Sequence, residues 1–278
     1  MELTATRSPV RSDPQATAIG RCAARALLRE LVTFPKPGLV SRVDNGSHAD
    51  MDASHFARSA FVLRRHFSHA ALLGARDADF AALRRWGVAA EVAMRRATGG
   101  VNTHRGAIFA LGLLCASSGA TRATPLGEHV RRRWGEDIAS HRRDPGSHGS
   151  AATRAIGAGG AQAEAAAGFP SVYEVALPAY REILGATDSR EAASIQAFFA
   201  LLASMDDTNL LHRGGVAGLR FAQGSARRFL AEGGMRGKDG LQRAITVHRE
   251  FVARRLSPGG CADLLAATLF IHDRDTRA

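Results

Sequence analysis

The chain has 278 residues, 45% of them hydrophobic and 23% charged, a globular composition long enough to bury roughly 70–75% of the surface its unfolded form exposes. Its formal net charge of +11 comes almost wholly from arginine, because Lys36 and Lys238 are the only lysines; with 6% aromatic residues for stacking bases, a polyphosphate accounts for the charge as well as RNA does, and nucleic acid is disfavoured. No apolar run approaches the ~20 residues of a membrane span, no leader core opens the sequence, and Cys22, Cys115 and Cys261 fall in apolar stretches without ligand or disulfide spacing, so the expectation is a cytoplasmic protein forming one domain over residues 1–278.

Alanine, the best helix former, greatly outnumbers the β-branched Val and Ile. The expected fold is all-α, a compact domain of about nine or ten helices with polar ligand-binding loops at helix N-termini. Residues 1–14 read as a frayed arm, with Asp13-Pro14 opening a first helix whose apolar stripe is Ile19, Ala23, Ala26, Leu27 and Leu31. A polar loop follows from Pro35 to Asp52; its Asn45-Gly46 pair has no β runs around it and is no hairpin. The next polar loop is Gly100 to Gly106. Arg131 to Ser150, charged and then turn-rich, reads as a mobile connection between two helical halves. The run Gly160 to Pro170 carries Glu164 and ends in Gly168-Phe169-Pro170, a helix stop in which Phe169 reads as core rather than as a stacking platform. Asp188 with Glu191 reads as a capping box before the stripe Ile195, Phe198, Phe199 and Leu202. A fourth polar loop spans Asp206 to Gly215, and Ser257-Pro258 opens the last helix within a fifth, Ser257 to Asp263. The tail after His272, in particular residues 273–278, reads as flexible.

The five loops place small residues, a basic residue or a carboxylate at helix starts, where free N–H groups and the positive dipole end favour phosphate. Candidate phosphate and substrate contacts are Lys36, Asn45, Ser47, Asn102, Thr103, His104, Arg105, Asn209, His212, Arg213, Gly214, Gly215, Gly259 and Gly260. His104-Arg105-Gly106 is echoed by His212-Arg213-Gly214, as if two loops gripped one triphosphate from two sides. Asn102 or Thr103 serves equally as an N-cap, and the glycines as close helix contacts. Asp50, Asp52, Asp206, Asp207 and Asp263 are hard oxygen donors suited to Mg²⁺ on a polyphosphate; Asp52 and Asp207 read as readily as N-caps. His48, Glu164 and Asp207 are the candidate catalytic groups. Neither an HExxH pair nor a GxxxxGK[ST] run occurs, which argues against a zinc hydrolase and a P-loop ATPase.

In order, PKPGLVSRVDNGSHADMD (35–52), GVNTHRGAIFALGLL (100–114), the Glu164 segment ending GFPSV, DDTNLLHRGG (206–215) and SPGGCADLLAAT (257–268) resemble the triphosphoribosyl-dephospho-CoA synthases. The closing motif and the length look more like the malonate decarboxylase branch than the citrate lyase branch. Arg105 stands where the family often has Lys, and Gln162-Ala163 stand where an Arg-Gly often precedes the glutamate. The resemblance implies that the 2′-hydroxyl of 3′-dephospho-CoA displaces adenine from C1′ of ATP, with Mg²⁺ as cofactor. It further implies that the product passes to a phosphoribosyl-dephospho-CoA transferase and an acyl carrier protein, and it allows for a homodimer. Two other readings use the same residues: a helical metal-dependent hydrolase of nucleotides or N-glycosidic bonds, and a basic RNA- or carrier-protein-binding module.

Overall fold

The computed structural model describes residues 13–141 and 160–276. Among them are eleven α-helices and no strand: α1 (Pro14–Val32), α2 (Ala53–Ala75), α3 (Phe80–Ala97), α4 (Arg105–Ala120), α5 (Leu126–Ser140), α6 (Gly160–Ala166), α7 (Leu177–Thr187), α8 (Arg190–Ser204), α9 (Thr208–Ala231), α10 (Gly240–Ala253) and α11 (Gly259–Asp275). A π-helical turn, Ser171–Ala176, leads into α7, and a 3₁₀ turn, Gly234–Arg236, precedes α10. The fold is all-α, with a helix or two more than the sequence suggests.

Two helices are apolar on nearly every face, and such helices must lie inside. In α4 the run from Leu113 to Ser118 is buried without a break, and α11 is buried continuously from Leu264 to Asp273. The amphipathic helices wrap them: α1 lies on α2 and α11, α2 on α3 and α4, and α8 on α7, α9 and α11. Most buried apolar side chains join in one cluster that includes the α8 stripe and Ile19, Ala23, Ala26 and Leu27 of the α1 stripe, with Cys22, Cys115, Cys261 and Phe169 inside it; Leu31 is also buried.

Glycines set how closely α2 and α4 approach. A Cβ on Gly74 of α2 would lie 1.8 Å from the Ala116 carbonyl oxygen, and one on Gly119 of α4 would lie 2.0 Å from the Ala71 carbonyl oxygen. Each helix thus presses its backbone into the other at a missing side chain.

Several local readings need correction. Asp188 does not cap α8; it sits in the left-handed region (φ 53°) as the C-cap of α7, a conformation Asp tolerates. Ser189 is the N-cap, its Oγ accepting from Ala192 N–H at 3.2 Å. Residues 131–140 are no linker but the body of α5, because Val130, Trp134 and Ile138 recur every fourth residue and are buried while the charges face outward; residues 142–150 lie outside the described residues. Residues 273–275 are helix: Asp273 is buried against Arg29 at 2.8 Å, and Asp275 pairs with Arg181 at 2.6 Å. Asp13 and Pro14 belong to the start of α1, where the Asp13 side chain accepts from Gln15 and Ala16 N–H.

The crossing generates a prediction. Gly74→Ala and Gly119→Ala should each destabilise the fold by about 1–3 kcal/mol, the range for overpacking. Gly224→Ala, where a Cβ meets nothing within 4 Å, should stabilise by about 0.5–1 kcal/mol through helix propensity. Urea midpoints check both, and a stabilised Gly74→Ala would show that the crossing yields.

Candidate functional site

A cavity of about 1140 Å³ opens where α2, α4, α6, α9 and α11 begin. That is above the usual ~300–1,000 Å³ for a small-molecule pocket and leaves room for more than one substrate. Residues of all five polar loops line it, although they lie far apart in sequence: His48; Asn102 to Gly106; Gly160 to Glu164; Asp206, Asp207, Asn209, His212 and Arg213; and Ser257, Gly259, Gly260 and Asp263.

The helix starts are partly filled by the chain's own carboxylates. Asp207 is buried; its Oδ1 accepts from Asn209 N–H (2.8 Å) and Leu210 N–H (3.2 Å) at the head of α9, and its Oδ2 from Cys261 N–H (2.9 Å) in the first turn of α11. One side chain therefore caps its own helix and a second one. Gly260 makes this possible, since a Cβ there would come within 2.9 Å of Oδ2. Asp263 faces the head of α4, where Ala107 N–H favours its charged form and a Cβ on Gly106 would sit 2.0 Å from its Oδ2. Burial pushes both carboxyls up; Asp263 is raised further by Glu30 and Asp207 and stands well above the usual carboxylate range.

Lys36 does not reach the cavity. It is completely buried, with Nζ donating to the Thr33 carbonyl at 2.8 Å and lying 3.4 Å from Glu30 Oε1. Burial lowers the Lys36 pKa and raises that of Glu30, each opposed by the partner's charge. The pair thus holds the loop 33–40 onto α1. Glu30 lines the cavity, a residue the sequence reading missed. The available signal was an acid at the inner edge of the α1 stripe, beside Leu27 and Leu31.

At the opposite wall, Arg213 Nη1 donates to the carbonyls of Ser47 and Arg255, both at 3.2 Å, and Nη2 reaches His48 Nδ1 at 3.2 Å. Arginine only donates, so Nδ1 accepts, the His48 proton sits on Nε2, and Nε2–H donates to Ser257 Oγ at 2.8 Å. Burial and the Arg213 cation lower the His48 pKa, against the pull of Asp50, and His48 stays neutral. Arg213 remains exposed, a cation available at the rim.

Glu164 is half-buried on a third wall, its Oε1 accepting from Ser171 N–H at 2.8 Å and its Oε2 from Ser171 Oγ–H at 2.9 Å. Burial raises its pKa against those bonds. It is not a solvent-facing helix glutamate. Neither Asn102 nor Thr103 is the N-cap of α4, a position held by His104; Asn102 Oδ1 accepts from Arg105 N–H at 3.3 Å, while the Arg105 side chain pairs with Glu91 at 3.4 Å.

The loop echo does not become a repeated geometry. His104 is the buried residue that precedes α4, with Nδ1 2.6 Å from Ser59 Oγ and no partner on Nε2. Its counterpart His212 sits inside α9, exposed. Asn45, Ser47, Asp50, Asp52, Gly214 and Gly215 also lie outside the cavity lining. Ser47 Oγ–H donates to the Leu256 carbonyl at 2.6 Å. Asp52 caps α2, and the Ser54 and His55 donors hold its carboxyl far below the usual range. Gly214 packs on Leu256, and Gly215 breaks the helix, with φ 60° and ψ −162°. Among the described residues no three His, Cys, Asp or Glu side chains are grouped to hold a metal ion, and no helix is long and apolar enough to cross a membrane.

Burial lowers the His104 pKa to about 3, against ~6.5 when unfolded. Between those values the unfolded chain binds the proton and the folded one does not, so stability falls as pH drops from ~6.5 towards 3. Between pH 6.5 and 5 this contributes up to about 2 kcal/mol, at 1.36 kcal/mol per unit. Urea titrations at pH 7.5 and 5.0 should show a larger acid loss for the wild type than for His104→Gln; equal losses would refute this account.

Over residues 16–278 the chain matches the family model described as ATP:dephospho-CoA triphosphoribosyl transferase. A probable 2-(5''-triphosphoribosyl)-3'-dephosphocoenzyme-A synthase of Acinetobacter calcoaceticus is 40% identical over 257 residues, covering 90% of this chain and 88% of the relative. The 2-(5''-triphosphoribosyl)-3'-dephosphocoenzyme-A synthase of Klebsiella pneumoniae is 39% identical over 264 residues, covering 89% and 87%. A probable synthase of the same name from Vibrio cholerae is 38% identical over 273 residues, covering 92% and 87%. No solved structure matches. The matched span contains every loop that meets at the cavity, and the chain belongs to the ATP:dephospho-CoA triphosphoribosyl transferase family, an enzyme of the triphosphoribosyl-dephospho-CoA synthase type.

Proposed function

We propose that this cavity joins ATP to 3′-dephospho-CoA with loss of adenine. The bond between C1′ and adenine N9 breaks, a bond from C1′ to the 2′-oxygen of dephospho-CoA forms, and the hydroxyl proton ends on adenine. The observation that carries the reading is the convergence of five separated polar loops on one cavity large enough for two substrates. A hydrolase would need a site for water and one nucleotide only.

The displacement passes through an oxocarbenium-like state, which a carboxylate steadies. Glu164 suits this role because it lines the cavity, is fixed by Ser171, and has its pKa raised by burial, which makes it a better acceptor for the hydroxyl proton. Arg213, exposed at the rim, holds the triphosphate, and neutral His48 keeps its guanidinium in place. Asp207 has both oxygens engaged by backbone N–H groups and acts by holding α9 and α11 together. Mg²⁺ binds nucleotides through phosphate oxygens with one or two carboxylates, and Asp206, exposed on the cavity wall, is the carboxylate that fits. The ion would neutralise triphosphate charge. The closing motif favours delivery of the product, through a phosphoribosyl-dephospho-CoA transferase, to the acyl carrier protein of a malonate decarboxylase in the cytoplasm.

The direct test incubates the protein with ATP, Mg²⁺ and 3′-dephospho-CoA and measures free adenine by chromatography. Adenine formed only when both substrates are present supports the reading, whereas ATP consumed without dephospho-CoA supports the hydrolase. Glu164→Gln should lower turnover about a hundredfold or more, the lower range of general acid–base help, with ATP binding retained; near-normal release would move the role to another carboxylate. Arg213→Ala should raise the ATP KM while the helical circular dichroism stays unchanged, and an unaltered KM would take Arg213 out of the triphosphate site.

A further inference from the structure

Part of the cavity is a slot between α3 and α4. In α4, where the residues from Ala107 to Ser118 are otherwise buried, Phe109 and Gly112 are partly exposed and line the cavity, with Gly106 one turn nearer the loop, its own missing side chain facing Asp263. Phe80, Arg84, Gly87 and Glu91 line it from α3 at spacings of four, three and four. At 1.5 Å per residue the slot follows α4 for about 9 Å and α3 for about 16 Å.

Two features show that this space is kept open. A Cβ built on Gly87 or on Gly112 meets no atom within 4 Å, although both residues lie inside helices, where alanine would be the more stable choice. These glycines differ from Gly74 and Gly119, whose missing side chains are filled by a neighbouring backbone. Most of the wall is apolar, with Leu83 and Ala90 beside the stripe, and its charged side chains, Arg84 and Glu91, are of opposite sign. The Arg105–Glu91 ion pair, at 3.4 Å, joins the first residue of α4 to α3 at the loop end of the slot. Deeper in, His66 on the α2 side leaves Nδ1 without a hydrogen-bond partner.

We propose that this slot is the subsite for the uncharged pantetheine arm of the dephospho-CoA substrate, an assignment that rests on the substrate pair given above. A triphosphate would bring several negative charges into a mostly apolar slot where Glu91 offsets Arg84, and would lose its hydration without enough cations to replace it. A purine is a rigid plate shorter than the slot. The arm is neutral and flexible, and its three chain units extend to roughly 10 Å or more at about 3.3–3.6 Å each. It ends in a diphosphate, and the cation where the slot opens to the loops is Arg105.

Gly112→Leu and Gly87→Leu test the subsite in the full chain, with Gly112→Ala as the variant whose methyl group fits. Calorimetry measures binding of 3′-dephospho-CoA and of ADP, which carries the same adenosine diphosphate without the arm. The leucine variants should weaken dephospho-CoA binding by about tenfold or more, the scale on which a filled pocket rejects a chain. Their affinities for ADP and ATP should stay within twofold, and Gly112→Ala should match the wild type. Weakened ATP binding with dephospho-CoA unaffected would give the slot to the adenine of ATP and overturn the assignment, as would leucine variants that bind all three nucleotides normally. Two leucine positions on different helices guard against one that fails to fold, which circular dichroism identifies. If the wild type binds dephospho-CoA through the slot yet releases no adenine, the reaction assigned above fails while the subsite stands.

Discussion

A buried carboxylate that accepts backbone N–H groups from two helix starts is the contact on which the site depends. Asp207 does this for α9 and α11, and Asp263 extends the arrangement from α11 to α4. A helix start presents unsatisfied donors and a positive dipole end, so an anion drawn from the protein itself can fasten one helix to another. Gly260 and Gly106 are small for this reason, since each faces a carboxylate oxygen across a gap that no Cβ can enter. The three helices that carry DDTNLLHRGG, SPGGCADLLAAT and NTHRG are thereby held by their N-termini around a common space.

This arrangement inverts the expected charge distribution. The protein is strongly basic overall, yet the cavity wall contains Glu30, Asp207 and Asp263, raised in pKa by burial, while the buried lysine is turned away to neutralise Glu30. Arg213 and Arg105 stand at the exposed edge. Guanidinium groups, open to an anionic ligand, stand at the rim, and carboxyl groups with raised pKa lie in the interior. Cations and carboxyl groups are thus separated by depth, an arrangement that would serve the displacement proposed above.

The helical class was legible because alanine content and period-3.6 stripes are local properties, and the stripes of α1 and α8 are buried as read. Asp52 and Asp207 could be read as N-caps for the same reason, since capping acts over two or three residues. What failed depended on what surrounds each motif. Pro35-Lys36-Pro37-Gly38 looks like a phosphate loop until Glu30 is seen beside Lys36, and the matching His-Arg-Gly runs diverge because one lies at a helix start and the other within a helix. Arg131 to Ser140 looked like a linker because its charges obscure Val130, Trp134 and Ile138, three buried residues that only a helical projection aligns.

The break at Gly215 sets apart the first seven residues of α9, Thr208 to Gly214, from the longer segment that follows. That short piece carries Asn209, His212 and Arg213, is tied at its front to α11 by Asp207, and is tied at its side to the 47–48 loop by Arg213. Its orientation is therefore inherited from α11 and not from the remainder of its own helix. A change in the packing of the long segment would leave Arg213 aligned at the rim, provided that position 215 keeps the one residue able to turn the chain with a positive φ at no steric cost.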